Sequence, residues 1–254
     1  MTRSIIATAA LATVLSVNAV GQASYKALND FSLKSNPNGA WSYFLNNSLM
    51  TMPISNSEAT EWQGAIVDGY GEAIGKNISG APLNAGPWIF PTDHLYLSIA
   101  QGTVAVRFTV PSSGSYTVAG NFLGIEIAQV SHSVEILVNG AQTISGTIGA
   151  YNQSFTFNFS QTFRAGDTVD FVNVGPAAVS LGYMTALTAT ITPVALPAIS
   201  PNGVVSAGSF GGFRSVAPGT WIEIYGSNLA TDTRSWASSD FVGTTAPTNS
   251  TGPR

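Results

Sequence analysis

Over residues 104–191, apolar side chains keep falling on every second position, and the runs are separated by residues that turn a chain. Val104, Val106, Phe108 and Val110 alternate with Ala105, Arg107 and Thr109. A period of two puts the apolar set on one face and the remainder on the other, which is the pattern of a half-buried strand. Pro111-Ser112-Ser113-Gly114 then turns the chain, and Tyr116, Val118 and Phe122 share one face of the next strand. Val134, Ile136 and Val138 alternate up to Asn139-Gly140, the strongest short hairpin signal, with Ile144 and Ile148 in the partner strand. Phe155, Phe157 and Phe159 alternate with Thr156 and Asn158, and Arg164-Ala165-Gly166-Asp167 makes another turn. Val169, Phe171 and Val172, then Leu187, Ala189 and Ile191, complete the series. Beyond the N-terminal segment no stretch sustains a helical period. Short strands at regular spacing with turn chemistry between them predict an all-β sandwich, in its commonest closed form a jelly roll.

The ends of the chain carry other information. Arg3 precedes an apolar run from Ile5 to Val17, and small residues follow. That order is the pattern of a secretory signal peptide, residues 1–23, with cleavage after Ala23 or Ala19. The run is shorter than the ~20 residues needed to span a bilayer, and no later segment is long and apolar enough. A secreted or cell-surface location is the expectation. Only 9% of residues are charged, against ~25% in a typical soluble domain. Gly, Ser, Thr and Asn take the place of the charged surface, which suits a β-protein rich in tight turns. The net charge of −4 and the lack of any Lys/Arg cluster argue against nucleic acid as a partner. With no cysteine there is no disulfide, thiol nucleophile or thiolate metal site, so the fold must rest on its hydrophobic core.

Residues 24–91 are less regular. Asp30-Phe31-Ser32-Leu33 predicts a short strand, Asn36-Pro37-Asn38-Gly39 a turn, and Trp41, Tyr43 and Phe44 an aromatic strand. A further strand is expected at Trp62–Val67. The organisation is then a jelly-roll domain over 24–192, a Pro-rich linker over 193–202, where proline cannot donate to a ladder, and a second β-domain over 203–254.

Two resemblances add to this. The segments DFSLKSNPNGAWSYF, TVAVRFTVPSSGSYTVAGNFLGIE, HSVEILVNGAQTISGTI and FTFNFSQTFRAGDTVDFVNVG resemble the galactose-binding-like jelly-roll modules of exported bacterial proteins, including those accompanied by PEP-CTERM sorting signals. The likeness spans about residues 28–192, departs at Phe44, where glycine is usual, and lacks the sorting tail. It implies a galactose-binding-like sandwich. The segments GVVSAGSF and VAPGTWIEIYGSNLA, with Asp240-Phe241, resemble the start of the IPT/TIG-like β-sandwich module at the C-terminus of acidobacterial secreted proteins. Members of that group continue for several more strands, so residues 203–254 are expected to form an incomplete, partly ordered immunoglobulin-like domain.

For chemistry, His94 and His132 have no nucleophile beside them, and Glu58, Glu61, Asp68, Glu72, Glu126 and Glu135 show no spacing that singles out an acid–base pair. No G-x-S-x-G or H-E-x-x-H motif occurs. The expectation is a non-catalytic protein. A sugar ring presents an apolar C–H face rimmed by hydroxyls, which a flat aromatic covers while amides and carboxylates pair with the rim. Trp41, Trp62, Trp88, Tyr96 and Asn121 are the candidate ligand-binding residues on that logic, with Tyr151 a further loop aromatic. Asp167 and Asp170, near a turn, are candidate ligands of a structural Ca²⁺ of the kind such jelly rolls carry. A carbohydrate-binding or adhesion module for polysaccharide or glycan is thus the leading expectation. A structural spacer, then a glycan-acting enzyme, stand behind it.

Overall fold

The computed structural model describes residues 24–67, 70–208, 219 and 221–229. The expected signal peptide lies outside the described residues, as do Asp68 and most of the expected C-terminal domain. In chain order the elements are β1 (Tyr25–Lys26), α1 (Ala27–Asp30), β2 (Trp41–Leu45), β3 (Ser48–Leu49), β4 (Met52–Ser55), β5 (Ala59–Val67) and β6 (Tyr70–Asn77). Then come β7 (Leu83–Ala85), β8 (Trp88–Phe90), β9 (Leu95–Ser98), β10 (Thr103–Thr109), β11 (Gly114–Gly124), β12 (His132–Val138) and β13 (Ala141–Ile148). β14 (Ser154–Phe163), β15 (Thr168–Val174), β16 (Thr185–Pro193), β17 (Ala198–Ser206) and β18 (Ile222–Ser227) complete the set.

Strand pairing defines the fold. β12 pairs with β13, β11 with β14, β10 with β15 and β9 with β16, all antiparallel. This nesting is a long hairpin folded over on itself, which divides its strands between two sheets, β14-β11-β16-β9 and β13-β12-β15-β10. That is a jelly roll. The preceding residues widen both sheets: β6, β5 and β4 extend the first beyond β9, and β2 and β3 extend the second beyond β10. The all-β sandwich read from the alternation is therefore the fold.

The core lies where the alternation places it. Val104, Val106 and Phe108 of β10, Val118 and Phe122 of β11, Val134 and Ile136 of β12, Phe171 of β15, and Leu187 and Ile191 of β16 are all fully buried. Each such side chain contributes roughly 1.5–3 kcal/mol. Asn139 and Gly140 both take positive φ, 51° and 78°, the backbone that a two-residue hairpin loop of matching twist requires.

The N-terminal part differs from expectation in two ways: β3, β4, β6, β7 and β8 form where no strand was expected, and an expected strand is missing. Residues 27–30 form a single helical turn, and the segment after it, where a strand was expected, runs without ladder partners. Its role is packing: Phe31 is buried against Tyr43 with ring centroids 5.0 Å apart.

The chain divides into two compact units at Val194/Ala195. In the second unit the described residues form an antiparallel ribbon of β17 and β18, so strand structure begins inside the stretch expected to be linker.

Candidate functional site

The outer face of the larger sheet carries a groove whose shape follows from residue size. In β6, Gly71, Ala73, Gly75 and Asn77 face outward while Ile74 is buried in the main core. In β5 and β9 the outward residues are Glu61, Gln63, Tyr96 and Ser98, while Trp62, Leu95 and Leu97 point into the core. Small side chains in the middle strand leave a trough between larger neighbours.

The hairpin β7–β8 closes one side. Asn77 tethers it, donating from Nδ2 to the carbonyls of Ala81 at 2.7 Å and Phe90 at 2.9 Å. β8 is also stitched to residues 125–127: Ile89 N–H donates to Ile125 O at 2.9 Å and Ile127 N–H to Pro87 O at 2.8 Å. Gln129 fixes this loop by donating to Gly182 O at 2.8 Å. Beneath the hairpin, Ala73, Tyr96, Ile125, Met184 and Ala186 form a second buried apolar cluster, with Trp88 and Phe90 packed on it.

Two depressions of about 210 Å³ each adjoin here. Gly71, Phe90, Ser98 and Met184 belong to both. The first adds Trp88, Glu126 and Leu181. The second adds Asn56, Glu58, Glu61, Gln63, Asn77 and Tyr96. The lining combines apolar and aromatic side chains with carboxylates and amides.

Electrostatics distinguish Glu61 from Glu126. Glu61 accepts a 2.5 Å hydrogen bond from the Tyr96 hydroxyl. Burial, reinforced by that carboxylate, holds the Tyr96 phenol well above its ordinary range. Glu126 is only 2% exposed. Its burial raises the carboxyl pKa, against the pull of backbone N–H groups of Met184 and Gly182. The Met184 bond is long, at 3.4 Å. The Trp88 indole N–H is directed toward the same carboxylate but lies outside normal hydrogen-bond geometry.

The structure separates the sequence candidates. Trp88 lines the first depression and Tyr96 the second, and both belong to the apolar cluster under the hairpin. Trp41 and Trp62 do not: they are 1% and 4% exposed in the main core. Their indole N–H groups are used internally, by Asp30 Oδ2 at 3.1 Å and Ser32 O at 2.9 Å. Neither has a face to offer a ligand. Asn121 is on the same sheet face but outside the groove lining; it accepts from Thr188 Oγ1, donates to Ser154 Oγ and approaches His94. Tyr151 is a half-exposed turn residue away from the groove.

Asp167 and Asp170 do not fit a calcium site. Both Asp170 oxygens are taken by Arg107, at 2.6 and 2.8 Å. Asp167 accepts from Arg164 N–H within its turn and from Asn139 Nδ2 of the β12–β13 hairpin. Among the described residues no three acidic or histidine side chains converge as metal ligands would. His94 pairs with Asp93 at 2.6 Å, and His132 is buried, which lowers its pKa.

Sequence reasoning missed Glu61, Gln63, Asn77 and Phe90 as groove residues. A usable signal existed for the first two. Glu61 and Gln63 flank Trp62 in a strand, so once Trp62 is placed inward they must project outward together.

No family model matches the chain, and no curated protein does. Among solved structures, a family 35 carbohydrate-binding module from Clostridium thermocellum is 14% identical, with 56% of this chain and 98% of the module covered and a TM-score of 0.27. A CBM35 from Paenibacillus barcinonensis is 11% identical over 69% of this chain and 100% of that one, with a TM-score of 0.30. A ruminal GH26 endo-beta-1,4-mannanase is 20% identical over 48% of this chain, with a TM-score of 0.28. The chain spans less than a third of the length of the mannanase and arabinofuranosidase chains it matches. At these TM-scores the likenesses identify neither a family nor a ligand, and the jelly roll stands on its strand pairing.

Proposed function

We propose that the protein is exported and that its jelly-roll unit binds a glycan without transforming it. The observation that carries this is the groove on the outer sheet face, whose lining holds Trp88 and Phe90 together with Glu61, Gln63, Asn77 and Glu126. Stacking against the C–H face of a pyranose and hydrogen bonding to its hydroxyls both require this combination. The non-catalytic part is supported by the sequence, in which no spacing singles out an acid–base pair and no G-x-S-x-G or H-E-x-x-H motif occurs.

The test is a glycan and polysaccharide array probed with the full chain, with and without Ca²⁺. Saturable binding is expected, and Trp88→Ala, checked for an unchanged melting transition, should weaken it at least tenfold. Binding to no glycan by folded protein would sink the proposal and leave the spacer reading in its place. Turnover of a bound oligosaccharide would refute the non-catalytic part alone.

A further inference from the structure

Among the described residues the groove is lined by Glu58, Glu61 and Glu126 and by no Lys, Arg or His. The nearest basic side chain on its strands is turned away. Lys76 sits in β6 between Gly75 and Asn77, but its ammonium lies over the Phe31 ring, 5.7 Å from the centroid, on the opposite face of the sheet. Among the described residues the ion pairs are Asp93–His94 and Arg107–Asp170, so no groove carboxylate has a protein cation opposite it. For exposed Glu58 water suffices. For Glu126, 2% exposed against Trp88, Leu181 and Met184, an unpaired charge is costly. The site thus carries carboxyl groups with no cation of the described chain opposite them.

The placement of those carboxyls constrains what would pair with them. Glu126 lines one depression and Glu58 and Glu61 the other. No three such groups meet at one point among the described residues, so the charges suit a ligand with cations spaced along it rather than a single ion. Trp88 lines the first depression with Glu126 and Phe90 lines both, and an aromatic face attracts both sugar C–H groups and cations. A uronate or sulfated glycan would meet like charge at every step.

We propose that the preferred ligand is an oligosaccharide of deacetylated amino sugars, whose ammonium groups pair with Glu126 in the first depression and with Glu58 and Glu61 in the second. This rests on the glycan-binding reading of the same groove and adds its charge class. Isothermal titration of the full chain tests it with three probes: a glucosamine tetramer, its fully N-acetylated counterpart and a glucose tetramer of the same linkage, each at low and high salt. The glucosamine tetramer should bind at least tenfold more tightly than either other probe, and the advantage should shrink in high salt. Glu61→Gln and Glu126→Gln should each bring its affinity down toward that of the glucose tetramer. Glu58→Gln, at an exposed position that cannot disturb folding, should lower it by a smaller factor. Equal or tighter binding of the glucose or N-acetylated probe would overturn the inference while the glycan reading stands. So would an amine advantage untouched by all three Gln variants, or displacement of the tetramer by spermine at equal concentration. Failure of every oligosaccharide to bind folded protein would overturn the underlying reading with it.

Discussion

Replacing Gly75 by alanine tests whether the groove is shaped as described. Gly75 stands in register with Glu61 of β5 on one side and Tyr96 of β9 on the other. A Cβ there would lie 2.5 Å from the Thr60 carbonyl oxygen, 2.5 Å from the Tyr96 hydroxyl and 2.6 Å from Glu61 Cβ. Each contact is about 1 Å short of an ordinary one. Thr60 O belongs to the β5–β6 ladder and cannot retreat without loosening it. The Tyr96 ring is held edge-on against Phe90 at 4.8 Å, so its hydroxyl moves only by giving up Glu61. Overpacking costs ~1–3 kcal/mol, and loss of a hydrogen bond to a charged group ~1.5–3 kcal/mol. Gly75→Ala should therefore destabilise the unit by about 3–5 kcal/mol and lower its Tm by roughly 10 °C, at a few degrees per kcal/mol for a domain of this size. Scanning calorimetry measures this directly. Tyr96→Phe removes the one movable obstacle, so Gly75→Ala should cost at least ~1 kcal/mol less in that background, a coupling expected of residues in contact. If Gly75→Ala melts within 2 °C of the wild type, or if the two substitutions are additive, the packing argument is wrong.

Other expectations follow from the titrating groups and the turn aspartates. Burial raises the Glu126 carboxyl above its ordinary value of 4.5, so between that value and the raised one the folded state holds a proton that the unfolded chain releases. The stability from this group is complete below that value and is lost as pH rises. Glu126→Gln should accordingly raise Tm relative to wild type at pH 7 and lose that advantage by pH 4 in paired melting curves; a constant offset would contradict the sign. His132 behaves oppositely: burial depresses its pKa from 6.5, so its contribution is present above that pH and is lost as pH falls below it. His132→Leu should flatten the Tm profile between pH 7 and pH 5, even at the cost of the bond from Nδ1 to Val130 O, and an unchanged slope would count against it. Chelation by EDTA should leave Tm within about 1 °C, since Asp167 and Asp170 already serve protein partners; a fall of 5 °C or more would restore them as calcium ligands.

The jelly roll was legible because each of its strands writes its own face. Val104, Val106 and Phe108 alternate with polar or small neighbours, and a one-residue slip would turn all of them to solvent. Asn139-Gly140 likewise declares its hairpin locally, through a backbone that few other residues tolerate. β6 declared nothing, since Gly71 and Gly75 read as punctuation in a one-dimensional pattern. They are strand residues whose missing side chains form the groove, and only the neighbours Gln63, Glu61 and Tyr96, supplied by other strands, explain them. The same limit governs the tryptophans. Trp41, Trp62 and Trp88 are chemically equal as candidates, and their fates differ by the face of the strand and by what covers it. For Trp62 the deciding information was local, because Glu61 and Gln63 flank it and must face the other way. Tyr96 can be placed by the same argument, since Leu95 and Leu97 claim the core and leave it outward. For Trp88 the decision lay in a bridge to Glu126 and in the Asn77 tether, contacts made across tens of residues. Strand alternation thus assigns a side chain to a face, and long-range pairing decides whether that face becomes a site.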